Sequence, residues 1–337
     1  MNKILTLTEA QRKIVFEQTA VRIHLPVVAI EKDFWVTEIL NLLFSLPYAE
    51  KMVFKGGTSL SKIWGVIRRF SEDIDIAIDH SLFGIEGNIT KKQLKKLRKE
   101  SSVFVRDTLV HNFVVAVENA GLSEFITVIP DPDGEGDATY PEPRQIHIVY
   151  KSVLSGKVNT YLRDEILLEV GARSLFEPTA TASVESFVAE TFPHLTSKDA
   201  AVKVVTAIAE KTFLEKVFLL HELFTTEGCK KANRKSRHLY DLFKMLESGI
   251  ADNAIANDEL WETIRHHREI FTSIWDVDYT PDVRKRIHLI PPEDAMTAWK
   301  DDYDSLVANM IYEDTVPSFT AILKGVAKIE KRFREQS

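Results

Sequence analysis

"FKGGTSLSKIWGVIRRFSEDIDIAID", residues 54–79, sets a double glycine and two hydroxyl side chains ahead of three aspartates. The aspartates at 73, 75 and 79 alternate with apolar residues, the period-2 pattern of a strand with one buried face. Asp73, Asp75 and Asp79 are therefore expected on one side, with Ile74, Ile76 and Ile78 on the other. Upstream, "KMVF" reads as a short strand, "KGGTS" (55–59) as a loop and "LSKIWGVI" as a short helix. The local order is strand, loop, helix, strand.

The chemistry of this stretch looks contradictory. Carboxylates two residues apart on a strand repel and raise one another's pKa, a cost that a bound Mg²⁺ would reverse with its preference for hard oxygen ligands. A solvated acidic edge strand is the plainer alternative. Gly56 and Gly57 allow φ > 0 and close backbone approach, and consecutive amides leading into a helix suit an anion. Thr58 and Ser59 add hydroxyl donors, although a simple glycine turn would also account for the loop. An anion site beside a row of anions makes sense on one molecule: a nucleoside triphosphate whose phosphates sit on the loop and share a metal with the aspartates. Neither a Walker G-x-x-x-x-G-K-[ST] nor a G-x-G-x-x-G fingerprint is present. A third carboxylate would complete a two-metal arrangement. Glu169 in "ILLEVGAR" is the candidate, because an acid inside so apolar a strand needs a partner or a metal; pairing with Arg173 or solvent is the alternative.

Outward from this core, helices are expected at 8–20, opened by Thr8, and at 31–46, closed by Pro47. A long helix spans about 90–120, and strands are expected at 124–129, 145–153, 166–172, 184–188 and 202–207. "PDPDGEGDATYPEP" (130–143) reads as exposed loop. Beyond about residue 208 only helices follow, at 211–224, 236–247, 256–275, 293–312 and 317–334. The fold class is thus α+β, a mixed sheet flanked by helices, then an all-helical C-terminal half. The expected domains are 1–205 and 206–337.

Bulk composition narrows the function classes. With 337 residues, 45% hydrophobic content and a net charge of −7, the chain has material for a large core and no whole-surface affinity for polyanions. Two basic runs, 91–99 and 230–238, stand against that background as local patches, each read as solvated helix or loop surface. One cysteine, Cys229, cannot form an internal disulfide, and "MNKILTLTEAQRK" has no long apolar signal core. Cytoplasmic localisation, with no membrane segment, is the expectation.

In the helical half, "TFLEKVFLLHELF" puts Lys216 on the apolar side, between Leu220 and Leu223. A lysine there snorkels outward or aims at a buried anion such as a triphosphate. "HELF" is no zinc motif, because position 225 is threonine. In "SRHLYDLFKML", Arg237 and Asp241 stand at i,i+4, the spacing of a surface ion pair.

Taken together, "EKDFWVTEIL" (31–40), "VFKGGTSLSK" (53–62), "RFSEDIDIAID" (69–79), "LLEVGARS" (167–174), "TFLEKVFLLHE" (212–222), "RHLYDL" (237–242) and "DDYDSL" (301–306) resemble the AbiEii/AbiGii nucleotidyltransferase toxins. These are a branch of the DNA polymerase β-like nucleotidyltransferase superfamily. The resemblance implies a nucleotidyltransferase-fold sheet and transfer of a nucleoside monophosphate from an NTP, with a helical domain closing the nucleotide site. On that pattern Asp73 and Asp75 would hold Mg²⁺ or Mn²⁺, with Glu169, the third ligand its apolar strand suggests, beside them. Lys55, Gly56, Gly57, Thr58, Ser59, Ser71 and Arg237 would contact the nucleotide, Lys216 would neutralise it, and Asp241 would complete the catalytic set. It also implies a toxin of a toxin–antitoxin or phage-defence pair, with a cognate antitoxin and the tRNA 3′ end as acceptor. Transfer to a protein or small molecule, and a non-catalytic nucleotide-binding module, are the alternatives. Relatives outside the subgroup carry R-D-x-Y-D where this chain has His238.

Overall fold

In a computed structural model, residues 3–71, 73–85, 89–133, 140–154, 164–195 and 201–336 are described. They form two compact units, one of residues 1–63 and 71–207, the other of residues 64–70 and 208–337.

The first unit is built on a seven-stranded mixed sheet. Its strands are β1 (Met52–Lys55), β2 (Ile74–Ile78), β3 (Ile126–Pro130), β4 (Arg144–Tyr150), β5 (Glu165–Gly171), β6 (Thr179–Val184) and β7 (Val202–Ala207), in the order β3-β4-β5-β2-β1-β7-β6. β2 lies antiparallel to β1 and parallel to β5, which makes it a central strand and not an acidic edge. Its isoleucines anchor it, since Ile74, Ile76 and Ile78 are all buried.

Helix α1 (Glu9–Ile23) opens with a capping box of Thr8 and Gln11. Helix α2 (Val27–Leu43) starts directly after Pro26 and is buried almost all round, its Trp35 stacking on Tyr150 with ring centroids 5.7 Å apart. The charged run at its start is internal bracing. Glu31 accepts from Ser152 Oγ (2.6 Å) and Val153 N (2.8 Å), while Asp33 pairs with Lys62 and accepts from Phe187 N at 2.8 Å. Helices α4 (Lys91–Phe104) and α5 (Val110–Asn119) are joined by a π-helical turn, so the expected long helix is one continuous rod.

Three expectations need correction here. No five-residue loop follows β1: helix α3 (Gly56–Lys62) begins at Gly56 and stops at Lys62, short of the expected 67. Residues 184–188 do not form a strand. The strand is Thr179–Val184, and the Ser186 hydroxyl, accepting from Ala189 N at 3.1 Å, caps helix α6 (Phe187–Thr191). Asp79 does not extend the aspartate row, because it caps the 3₁₀ turn His80–Phe83 and pairs with Lys51 at 3.0 Å. The expected loop at 130–143 lies partly outside the described residues, which resume at Tyr140.

The second unit is helical: α7 (Ala209–Phe224), α8 (Ser236–Glu247), α9 (Ile250–Ala256), α10 (Asp258–Phe271), α11 (Met296–Asn309) and α12 (Phe319–Glu335). The helix expected over 256–275 is α10, which starts after Asn257, whose side chain accepts from Leu260 N (3.0 Å), and ends at Phe271; the short α9 before it is not among the expected helices. Residues 64–70 are laced to the end of α11, with Phe70 N donating to Met310 O (2.7 Å) and Tyr312 N to Arg68 O (3.1 Å).

Candidate active site

In the first unit, strand register assembles a polar row. Lys55 on β1 lies opposite Asp75 on β2, Asp75 opposite Glu169 on β5, and Glu169 opposite Gln145 on β4. Four strands thus contribute one polar residue each at the same level of the sheet. Asp75 is held against the first residue of α3: Gly56 has φ +81°, and a Cβ there would overlap Asp75 Oδ2 and lie 2.9 Å from its Cγ. Only glycine satisfies both the left-handed backbone and the contact.

Asp73, just ahead of β2, is positioned through its backbone. The Thr58 hydroxyl, almost fully buried, donates to the Asp73 carbonyl and lies 3.0 Å from Ser71 Oγ. Ser59, also buried, donates to Gly56 O at 3.0 Å. Both hydroxyls expected to face phosphate are thus engaged inside the α3 junction, whereas Lys55, Gly56, Gly57 and Ser71 are partly exposed.

Glu169 joins the aspartates. Gln145 Nε2 donates to it at 2.6 Å, and burial together with the charges of Asp75 and Asp73 pushes its carboxyl above the ordinary range. Among the described residues no three His, Cys, Asp or Glu side chains converge as a ready-made metal cage. The donors are nonetheless hard carboxylates, and the repulsion that raises the proton affinity of Glu169 is what a divalent cation relieves.

In the second unit Asp241 is fully buried and takes a two-pronged contact from Arg69, Nε at 2.7 Å and Nη2 at 2.9 Å, plus Lys216 Nζ at 2.9 Å. Burial opposes its ionisation, but the two cations override this and hold the carboxyl well below the usual carboxylate range. Burial lowers the Lys216 pKa, with Asp241 acting the other way. Lys216 Nζ also meets His238 Nδ1 at 3.3 Å, and burial followed by the charges of Lys216 and Arg237 keeps that imidazole neutral. The surface pair of Arg237 with Asp241 is not formed, because the carboxylate belongs to Arg69 and Lys216.

The sequence hid Gln145, Arg69 and Asp302. Asp302 Oδ2 accepts from Ser236 N at 2.9 Å and so fixes the start of α8, the helix that carries His238 and Asp241. Gln145 could have been found as the polar member of an alternating strand. Arg69 had no local signal, since Asp241 lies 172 positions away.

A seven-stranded mixed sheet carrying a glycine-opened helix against a D-x-D strand suits phosphate-transfer chemistry, and comparison with known proteins gives its class. The family model described as "Nucleotidyl transferase AbiEii toxin, Type IV TA system" matches residues 40–325, and the chain belongs to that family. It is a nucleotidyltransferase and the toxin of a type IV toxin–antitoxin system, which implies an NTP substrate and an antitoxin partner. Among solved structures it is similar to MenT4, a nucleotidyltransferase toxin of Mycobacterium tuberculosis H37Rv. The TM-score is 0.49 at 17% identity, over 97% of this chain and 88% of that one. No curated protein matches it. Among the described residues no helix is long and apolar enough to cross a membrane.

Proposed function

We propose that the protein transfers a nucleoside monophosphate from an NTP to the 3′ end of tRNA in the cytoplasm, releasing pyrophosphate, and that this modification is its toxic act. The observation that carries the chemistry is the packing of Asp75 on Gly56, in register with Glu169 and beside Asp73. Asp73 and Asp75, with Glu169 alongside, would hold Mg²⁺ or Mn²⁺, which neutralises phosphate charge when bound. Lys55, Gly57 and Ser71, partly exposed around that row, are assigned to the triphosphate. Thr58 and Ser59 act by fixing Asp73 and the first turn of α3.

In the second unit, Arg69 and Lys216 stand side by side on the buried Asp241, cations of the kind that pair with the charge of a polyphosphate. Lys216 is assigned to that charge, Arg237 adds to the field, and Asp241 is a positioning residue for Lys216.

The test is incubation with each labelled NTP, divalent metal or chelator, and either total tRNA or cell protein. Label in RNA, pyrophosphate release and loss of both with chelator are expected. Label confined to protein would overturn the acceptor. Induced expression should arrest growth for wild type and not for Asp75→Asn; equal growth would reject the toxic mechanism.

A further inference from the structure

Helix α4 displays lysines at 92, 95, 96 and 99, all exposed. The spacing i, i+3, i+4, i+7 puts them on one face as a row about 10 Å long. A capping box of Thr90 and Gln93 secures the helix start. The opposite face is committed to the core, with Leu97, Ser101, Ser102 and Val105 buried. The one acidic side chain of α4, Glu100, reaches Lys96 at 3.6 Å.

At the end of the row stands an aromatic ring. Lys99 Nζ lies 5.4 Å from the centroid of the half-exposed Tyr140 ring, and Arg98 Nε donates to Tyr140 O at 2.9 Å, which fixes the backbone that carries it. Two residues on, the Glu142 carboxylate accepts from Arg173 N at 3.2 Å and from Ala172 N, clamping the segment to the end of β5. Gly171 leaves room for that carboxylate, since a Cβ there would meet it. Ala172 is three residues from Glu169, about 10 Å of strand. The lysine row is thus linked, through Tyr140 and Glu142, to the end of the strand that carries Glu169.

We infer that Lys92, Lys95, Lys96, Lys99 and Tyr140 form a track for the phosphate backbone and a stacked base of RNA, leading the acceptor strand toward Asp73 and Asp75. This rests on the proposed RNA acceptor and adds the surface that takes it. Four cations on long stems, concentrated on one helix of a chain with net charge −7, match a polyanion of repeated phosphates. A ring at the end of such a row is a stacking platform. A membrane surface is disfavoured, because the apolar face of α4 is already used in the core and has nothing to insert.

The experiment is fluorescence anisotropy of labelled total tRNA against salt, for wild type and the combined K92Q/K95Q/K96Q/K99Q variant. Because the four side chains are exposed, thermal melting of the variant should match wild type. Losing four phosphate contacts should make the slope of log affinity against log salt shallower by about 3 and weaken binding at least about tenfold near 0.1 M salt. Tyr140→Leu should weaken binding several-fold and leave the slope unchanged. An unchanged slope and affinity for the lysine variant would overturn the track, as would wild-type binding to phosphatidylserine vesicles and not to tRNA. Transfer measured in parallel separates the two claims. Label in tRNA with an unaltered KM for the lysine variant removes the track and keeps the function. A shallower slope with label found only in protein keeps the track and removes the tRNA acceptor.

Discussion

At position 56 the backbone has φ +81° and a methyl group would overlap Asp75 Oδ2. Gly56→Ala is expected to cost about 1–3 kcal/mol from the left-handed backbone alone. It should also displace Asp75 and reduce pyrophosphate release to the level of Asp75→Asn. Gly65→Ala is the control, because φ is +61° there and nothing lies within 4 Å of the added methyl. It should lose similar stability and keep its activity. Urea denaturation and pyrophosphate release on both variants check this pair. At this scale the sequence was informative about identity: the glycines, Asp73, Asp75 and Glu169 could be singled out from spacing and polarity. It was silent on which hydroxyls would be consumed internally, because the partners of Thr58 and Ser59 depend on how α3 meets β2.

Among the elements, α7 and α8 and the segment 64–70 are tied by the buried contacts of Asp241 with Arg69 and Lys216. Removing one partner of such a cluster leaves a charge without full compensation, a cost of about 3–5 kcal/mol. Arg69→Met should therefore lower the denaturation midpoint by that equivalent, with an unchanged m-value if the native surface is retained. A loss below about 1 kcal/mol would mean that Lys216 alone compensates Asp241. The helical period of α7 placed Lys216 on the apolar side correctly, yet it could not name Arg69, which comes from a segment flanking the aspartate strand. Boundaries failed where a single polar side chain starts a helix. Ser186 caps a helix where hydrophobic pattern alone reads as strand, and Asn257 sets the start of α10 two residues later than that pattern does.

For the molecule as a whole, acid sensitivity follows from histidines kept neutral by burial. His221 is 2% exposed; burial, with His288 as a second cause, lowers its pKa to about 4, against the weaker pull of Asp278. The unfolded chain, with a histidine pKa near 6.5, binds more protons than the native state between about pH 6.5 and 4, so stability falls as pH falls through that window. The contribution of His221 reaches about 2 kcal/mol at pH 5. His238, held well below the ordinary value, acts in the same direction. Glu31 and Glu142, raised by burial, oppose it at lower pH. Between pH 7 and 5, His221→Asn should show a smaller drop in melting temperature than wild type; equal drops would mean that His221 is not protonated on unfolding. By itself the sequence determined the α+β and helical halves, the D-x-D strand and the apolar setting of Lys216. Those follow from periodicities and caps that act over a few neighbouring residues. Only the tertiary structure decided that Lys55, Asp75, Glu169 and Gln145 share a row, that 64–70 joins the helical unit, and that Arg69 meets Asp241. These depend on strand register and on chain return over separations as long as the 172 positions between Arg69 and Asp241, where the gain comes from burial and pairing that no local pattern encodes.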